Sequence, residues 1–149
     1  MRKDPKKHFL YIGKKGELLT QLLLLDRGIA TQQMSARFDF DLLTPTMQRI
    51  EVKTALPSYS KKTVRDKTYV FKKWQFRNYA KGSEKFSSEN KGRNRQCDFF
   101  IFICLDENGN YYAAHIVPQE VIKDKLMINI SSTAKSKLNA YKEAWRLLK

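Results

Sequence analysis

The sequence predicts one α/β domain in which a central mixed β-sheet is flanked by helices. Three observations lead there. The chain has 149 residues, the length of a single domain with its own core, and no repeat or linker divides it. A Leu-rich stretch near the start has helical spacing. A continuous apolar run, DFFIFICL at 98–105, has the character of a strand buried on both faces.

The elements follow in order. Residues 16–27 (GELLTQLLLLDR) read as a helix: Leu18, Leu19, Leu22, Leu23 and Leu25 make a wide apolar face, and Gly28 is a stop. Residues 31–36 suit a short strand. Residues 37–43 alternate, with Phe38, Phe40 and Leu42 opposed to Asp39 and Asp41. Pro45 marks a turn, and residues 48–54 alternate again, Ile50 and Val52 against Glu51 and Lys53. Residues 69–76 (YVFKKWQF) are aromatic-rich and strand-like, and residues 81–96 form a long polar, basic loop. After the buried run, DENGN at 106–110 is a hairpin turn into a strand over 111–116. Pro118 opens a short helical turn. A last strand covers 126–130. Residues 134–148 end as a helix with Leu138, Tyr141, Ala144, Trp145 and Leu148 on one face.

Hydrophobic residues make up 42% and charged residues 30%, a globular balance. No apolar run reaches membrane-span length, and the basic start lacks a signal-peptide pattern. Cys97 and Cys104 fit neither a disulfide framework nor a zinc site; both read as core residues in a reducing, cytoplasmic protein. His8 and His115 are too few and too isolated for a histidine-based hydrolase site.

The net charge of +14 is far above what solubility needs, and it is unevenly spread. Residues 1–16 carry +5, residues 17–60 carry −1, residues 61–95 carry +9 and residues 96–149 carry +1. Such a layout suits a polyanion. Lys14 and Lys15 of a basic arm (1–15) are candidate phosphate contacts. In a basic segment (61–96) the candidates are Lys61, Lys62, Arg65, Lys67, Lys72, Lys73, Arg77, Arg93 and Arg95.

The nearly neutral stretch holds the chemistry. If 37–43 and 48–54 form a hairpin with Thr44 facing Gln48, Asp41 lies opposite Glu51 and Asp39 opposite Lys53, all on one face. Opposed carboxylates repel unless a cation sits between them, and such oxygen ligands suit Mg²⁺, with Mn²⁺ as a substitute. The competing reading is a solvated strand face with an Asp–Lys pair, and Asp39 is equally explained by a salt bridge to Lys53 or Arg37. Acidic groups inside a basic surface favour the metal reading.

Asp41, then after nine residues Glu51-Val52-Lys53, resembles the PD-(D/E)xK nuclease motif. Gly16-Glu17 at the head of a Leu-rich helix resembles that superfamily's first helix. The 98–105 strand, the 111–118 segment and YKEAWRLL at 141–148 are similar to its small group I intron-associated homing endonucleases. Phe40 stands where the motif's Pro would be. The resemblance implies a restriction-endonuclease-like core within one domain (1–149). It implies a Mg²⁺-dependent endonuclease acting on double-stranded DNA, of homing or restriction type. It also implies roles: Asp41 and Glu51 as metal ligands with the Val52 carbonyl, Lys53 as an orienting and charge-stabilising group, Glu17 as a group that binds a second metal through water. A helix-start role complementing the dipole explains Glu17 almost as well. Cutting both strands with one site per chain implies a homodimer or homotetramer, joined through the terminal helix or the 69–76 strand. A Holliday junction resolvase and a non-catalytic nucleic-acid binder are the alternatives.

Overall fold

The computed structural model describes residues 5–78, 97–133 and 136–149. Helix α1 (Pro5–Leu25) starts well before the Leu-rich segment, so residues 5–15 are not a loose arm. Gly28, at φ +79°, ends it as expected. Ile29 N–H bonds Leu24 carbonyl and Gly28 N–H bonds Leu25 carbonyl, each at 2.9 Å, the Schellman pattern with Ile29 packed beside Leu24.

Strands β1 (Gln32–Gln33), β2 (Leu42–Leu43), β3 (Arg49–Ala55), β6 (Phe99–Leu105) and β7 (Tyr111–Pro118) form one sheet in the order β1-β2-β3-β6-β7. Only β3 and β6 run parallel, so the central sheet is mixed. Strands β4 (Ser58–Val64), β5 (Lys67–Arg77) and β8 (Met127–Ser131) form a second, antiparallel sheet in the order β4-β5-β8. Helix α2 (Gln119–Ile122) follows β7.

The alternation of β6 explains the layering. Phe100, Phe102 and Cys104 pack in one cluster with Trp74, Phe76, Ile128 and Ile130 of the second sheet. Ile101, Ile103 and Leu105 pack in the other with Leu24 of α1 and with Trp145 and Leu148. Trp74 Nε1 donates to the Leu105 carbonyl at 2.8 Å, tying the two sheets together. The protein is mixed α/β, but the central sheet is flanked by α1 on one face and mainly by a second sheet, not helices, on the other.

Further expectations are corrected. Residues 37–41 are bends, not strand; only Leu42 and Leu43 pair with β3. The basic stretch from Lys61 to Arg77 lies in β4 and β5, joined by a turn with Arg65 and Asp66 at φ +49° and +62°, and the strand expected over residues 69–76 falls within β5. The expected loop at 81–96 lies outside the described residues. The terminal helix is replaced by two 3₁₀ turns, Lys137–Tyr141 and Trp145–Leu147. Glu143, at φ +52°, breaks the chain between them. Its carboxylate accepts from Tyr111 Oη (2.5 Å), Ala114 N (3.0 Å) and Trp145 Nε1 (2.6 Å), pinning the segment to β7. Ala144, Trp145 and Leu148 are thereby buried in the chain's own core, so this segment is no free apolar face for a second copy. Pro118, the last residue of β7, is the cap before α2 rather than its first residue. Among the described residues, no helix is long and apolar enough to cross a membrane.

Candidate active site at the open edge of the central sheet

The β2–β3 register matches the sequence expectation. Leu42 faces Ile50, Leu43 faces Arg49, and Thr44 N–H bonds the Gln48 carbonyl at 3.0 Å. The loop is Pro45-Thr46-Met47, with Met47 at φ +66°, a three-residue hairpin. The chain end straps it: Gln48 Oε1 accepts from Lys149 N at 2.7 Å, and Thr46 Oγ1 donates to the Lys149 carbonyl at 2.8 Å.

The pairing ends at Asp41, and the manner of its ending makes the site. Asp41 N–H bonds the Ile50 carbonyl at 2.8 Å. The Asp41 carboxylate then takes the place of a backbone acceptor, receiving Val52 N–H on Oδ2 at 2.8 Å. A strand residue's N–H and C=O leave the chain on the same edge, so the Val52 carbonyl faces the same gap. Among the described residues, no strand pairs with that edge of β3 beyond Ile50. This break also separates Phe40 from Leu42. Phe40 joins the cluster with Phe100 and Phe102, while Leu42 joins Ile50 and Val52. The expected single apolar face of residues 38–42 is therefore divided, and the expected Asp39–Lys53 pairing has no strand to carry it.

Glu51 and Lys53 alternate with the buried Ile50 and Val52 and point toward the second sheet's side. Glu51 is nearly buried, at 9% exposure. Lys53 Nζ stands 3.6 Å from Glu51 Oε1. Glu17 approaches from the other face, where α1 crosses β3. A Cβ on Gly16 would lie 1.7 Å from Thr54 Oγ1, so only glycine lets the helix come this close. Lys14 Nζ stands 3.6 Å from Glu17 Oε2, and Gln33 Nε2 donates to the same oxygen at 3.4 Å. Burial, and then the negative charge of Asp41, raise the Glu17 pKa despite Lys14.

Asp41 and Val52 thus meet at one strand edge, Glu51 and Lys53 flank Val52 along β3, and Glu17 is near enough to feel Asp41. Among the described residues there is no group of three or more His, Cys, Asp or Glu side chains placed to hold a metal ion. Magnesium needs no such cage, since it keeps several waters and takes one or two carboxylates. The carboxylates of Asp41 and Glu51 and the Val52 carbonyl are hard oxygen donors of that kind.

Sequence reasoning missed three positioning residues. Thr54 receives the helix at Gly16. Gln33 holds Glu17. Asp98 fixes β3 against β6: it accepts from Arg49 N (2.8 Å), Nε (3.2 Å) and Nη2 (3.1 Å), and the Arg49 guanidinium holds its carboxyl below the usual range. Only Gly16, ahead of Glu17, carried a visible signal.

The expected phosphate contacts divide. Lys61, Lys62, Arg65 and Lys67 are exposed on the hairpin, and Arg77 is exposed at its root. Lys73 is half-buried. Lys72 is committed elsewhere, with its Nζ 2.7 Å from Glu107 Oε1 and Tyr59 Oη donating to the same oxygen. Lys14 serves Glu17, and Lys15 lies close to Gly109. Arg93 and Arg95 lie outside the described residues. No protein-family model matches the chain, and no curated protein matches it.

Proposed function

We propose that the protein is a Mg²⁺-dependent endonuclease that hydrolyses phosphodiester bonds in double-stranded DNA. One observation supports the reading: Asp41 leaves its strand and its carboxylate meets Val52, whose neighbours along β3 are the ion-paired Glu51 and Lys53. Cross-strand carboxylates next to a lysine are ordinary on a solvated face. Here Glu51 is nearly buried, and the whole group belongs to a chain of net charge +14. Removing a carboxylate from water is unfavourable unless cations oppose its charge, and Lys53 is one such cation beside Glu51.

Asp41, Glu51 and the Val52 carbonyl would hold the ion, with Mn²⁺ a substitute. When bound, it would supply charge neutralisation at the phosphate and a more acidic water. The chain's own groups do the rest. Asp41 is oriented by Val52 N–H before any ligand arrives. Lys53, held beside Glu51, orients the attacking water and opposes the charge that grows on the phosphate. Glu17 stands behind Asp41 as an outer group, fixed by Lys14 and Gln33. One such site per chain cuts one strand, so double-strand cleavage requires a homodimer or homotetramer.

The test is nicking of a supercoiled plasmid with Mg²⁺ or with EDTA, beside a synthetic four-way junction. Cleavage with Mg²⁺ that disappears in Asp41→Asn and Lys53→Ala, with binding retained, is the expected result. Asp41→Asn cutting at the wild-type rate would end the assignment. Preference for the junction would make the enzyme a resolvase.

A further inference from the structure

We propose that the β4–β5 hairpin is a ribbon that enters the major groove of duplex DNA and reads it there. The inference rests on the duplex-DNA part of the function above, but not on catalysis.

Every residue from 61 to 70 is exposed, on both faces of both strands. Pairing persists to the tip: Lys61 faces Val70, Lys62 faces Tyr69, Thr63 faces Thr68 and Val64 faces Lys67. The hairpin is therefore a two-stranded ribbon standing clear of the body. The four residues 61–64 of one strand extend about 13 Å at ~3.3 Å per residue. A B-form major groove is about 12 Å wide and ~8.5 Å deep and admits such a ribbon. A minor groove about 6 Å wide admits a ribbon only when the DNA is deformed to open it.

Charge fits the same partner. The tip carries Lys61, Lys62, Arg65 and Lys67 against a single carboxylate, Asp66. Its other large side chains are Val64, Tyr69 and Val70, exposed at 44%, 55% and 59%. A ribbon needed only for phosphate contact has no use for them. In a groove they meet base edges and thymine methyl groups. The root is stiff where the tip is free: Glu107 joins Tyr59 and Lys72, and Trp74 stacks on Tyr112 at 4.9 Å. A rigid root holds the tip in one direction, which reading requires. The ribbon also follows β3 directly, with Ser58 five residues after Lys53, so a groove-bound tip and the cleavage edge belong to one DNA segment.

The experiment measures binding without cleavage, in EDTA, using the full chain and a mixed-sequence 30-base-pair duplex. A second duplex of the same sequence carries glucosylated hydroxymethylcytosine, which fills the major groove and leaves the phosphates unchanged. The wild type should bind the blocked duplex at least 10-fold more weakly. The quadruple variant Lys61→Ala, Lys62→Ala, Arg65→Ala, Lys67→Ala should lose at least 10-fold on the open duplex and flatten its salt dependence. The variant Tyr69→Ala, Val70→Ala keeps those charges; it should hold the salt slope and lose most of the discrimination between duplexes. Circular dichroism of each variant checks the fold, and the wild-type comparison stands even if a variant unfolds. Equal wild-type binding to both duplexes overturns the proposal. So does equal competition by duplex RNA, whose deep, narrow major groove excludes a ribbon. Discrimination without nicking in Mg²⁺ would keep the ribbon and remove the nuclease.

Discussion

Gly16→Ala tests how the fold builds the site. In an exposed helix, Ala in place of Gly stabilises by about 1 kcal/mol. Here the new methyl would stand 1.7 Å from Thr54 Oγ1, 2.8 Å from its Cβ and 2.9 Å from its Cγ2. Rotating the threonine relieves the oxygen but not the Cβ, which is fixed to the strand. Ordinary contact begins near 3.4 Å, so α1 must withdraw from β3 by about half an ångström or more. Overpacking of this kind costs about 1–3 kcal/mol and cancels the propensity gain. The expected net loss is up to about 2 kcal/mol, or up to roughly 8 °C in Tm. Glu17, the next residue, moves with the helix, so nicking should fall even where the protein remains folded. Thr54→Ala supplies the control. Thr54 Oγ1 is buried without a hydrogen-bond partner, so its removal leaves no polar group stranded. In a double-mutant cycle, Thr54→Ala should return at least half of the loss. Gly16→Ala at or above wild-type stability, or a cycle with no coupling, would refute the close approach.

Four further outcomes are expected. Burial, and then Lys142, push the His115 pKa down to about 4, with Glu143 opposing; the unfolded chain therefore binds the extra proton between about pH 6.5 and 4. Stability should be full above that window and fall by up to about 3 kcal/mol as pH drops through it, a loss absent from His115→Gln in urea melts. Glu143→Ala leaves Tyr111 Oη, Ala114 N and Trp145 Nε1 without their acceptor and should cost about 3 kcal/mol by the same assay. Asp98→Ala removes three hydrogen bonds at the start of β3 and should lower both stability and nicking. Exchanging Mg²⁺ for Mn²⁺ should preserve nicking, and for Ca²⁺ should abolish it.

What the sequence revealed followed from patterns that tertiary contacts reinforce. The apolar run at 98–105 had to be a central strand, since only two covered faces accommodate Phe, Ile, Phe, Ile in succession. The hairpin register rests on an assumption, Thr44 facing Gln48, and a loop one residue longer or shorter would shift it; the structure has that register, with Leu42 facing Ile50. The β4 strand (SYSKKTV) was hidden because it buries almost nothing, so alternation had no work to record. Its turn, Arg65-Asp66, lacks the Asn or Gly that marks a two-residue hairpin. The terminal segment misled in the opposite sense. Leu138, Ala144, Trp145 and Leu148 are buried as their helical spacing suggested, but Glu143 finds three donors only by breaking the helix.

The same competition decides the site. Residues 38–42 alternate well enough to extend β2 by four residues, and pattern alone favours that longer strand. It would pair Val52 N–H and C=O with backbone and close the edge of β3. Instead the Asp41 side chain takes the N–H, at 2.8 Å, a charge-assisted bond stronger than the backbone one it replaces. Phe40 is then free to turn into the aromatic cluster beneath Glu51 and Lys53. One carboxylate thus ends a strand and frees a carbonyl. Asp41→Asn keeps the size and can still accept from Val52 N–H, so it should preserve the fold while removing the charge. Asp41→Ala lets the edge re-pair or fray, and should lower stability as well. A variant pair that behaves identically in urea melts would show that the carboxylate has no part in holding that edge open.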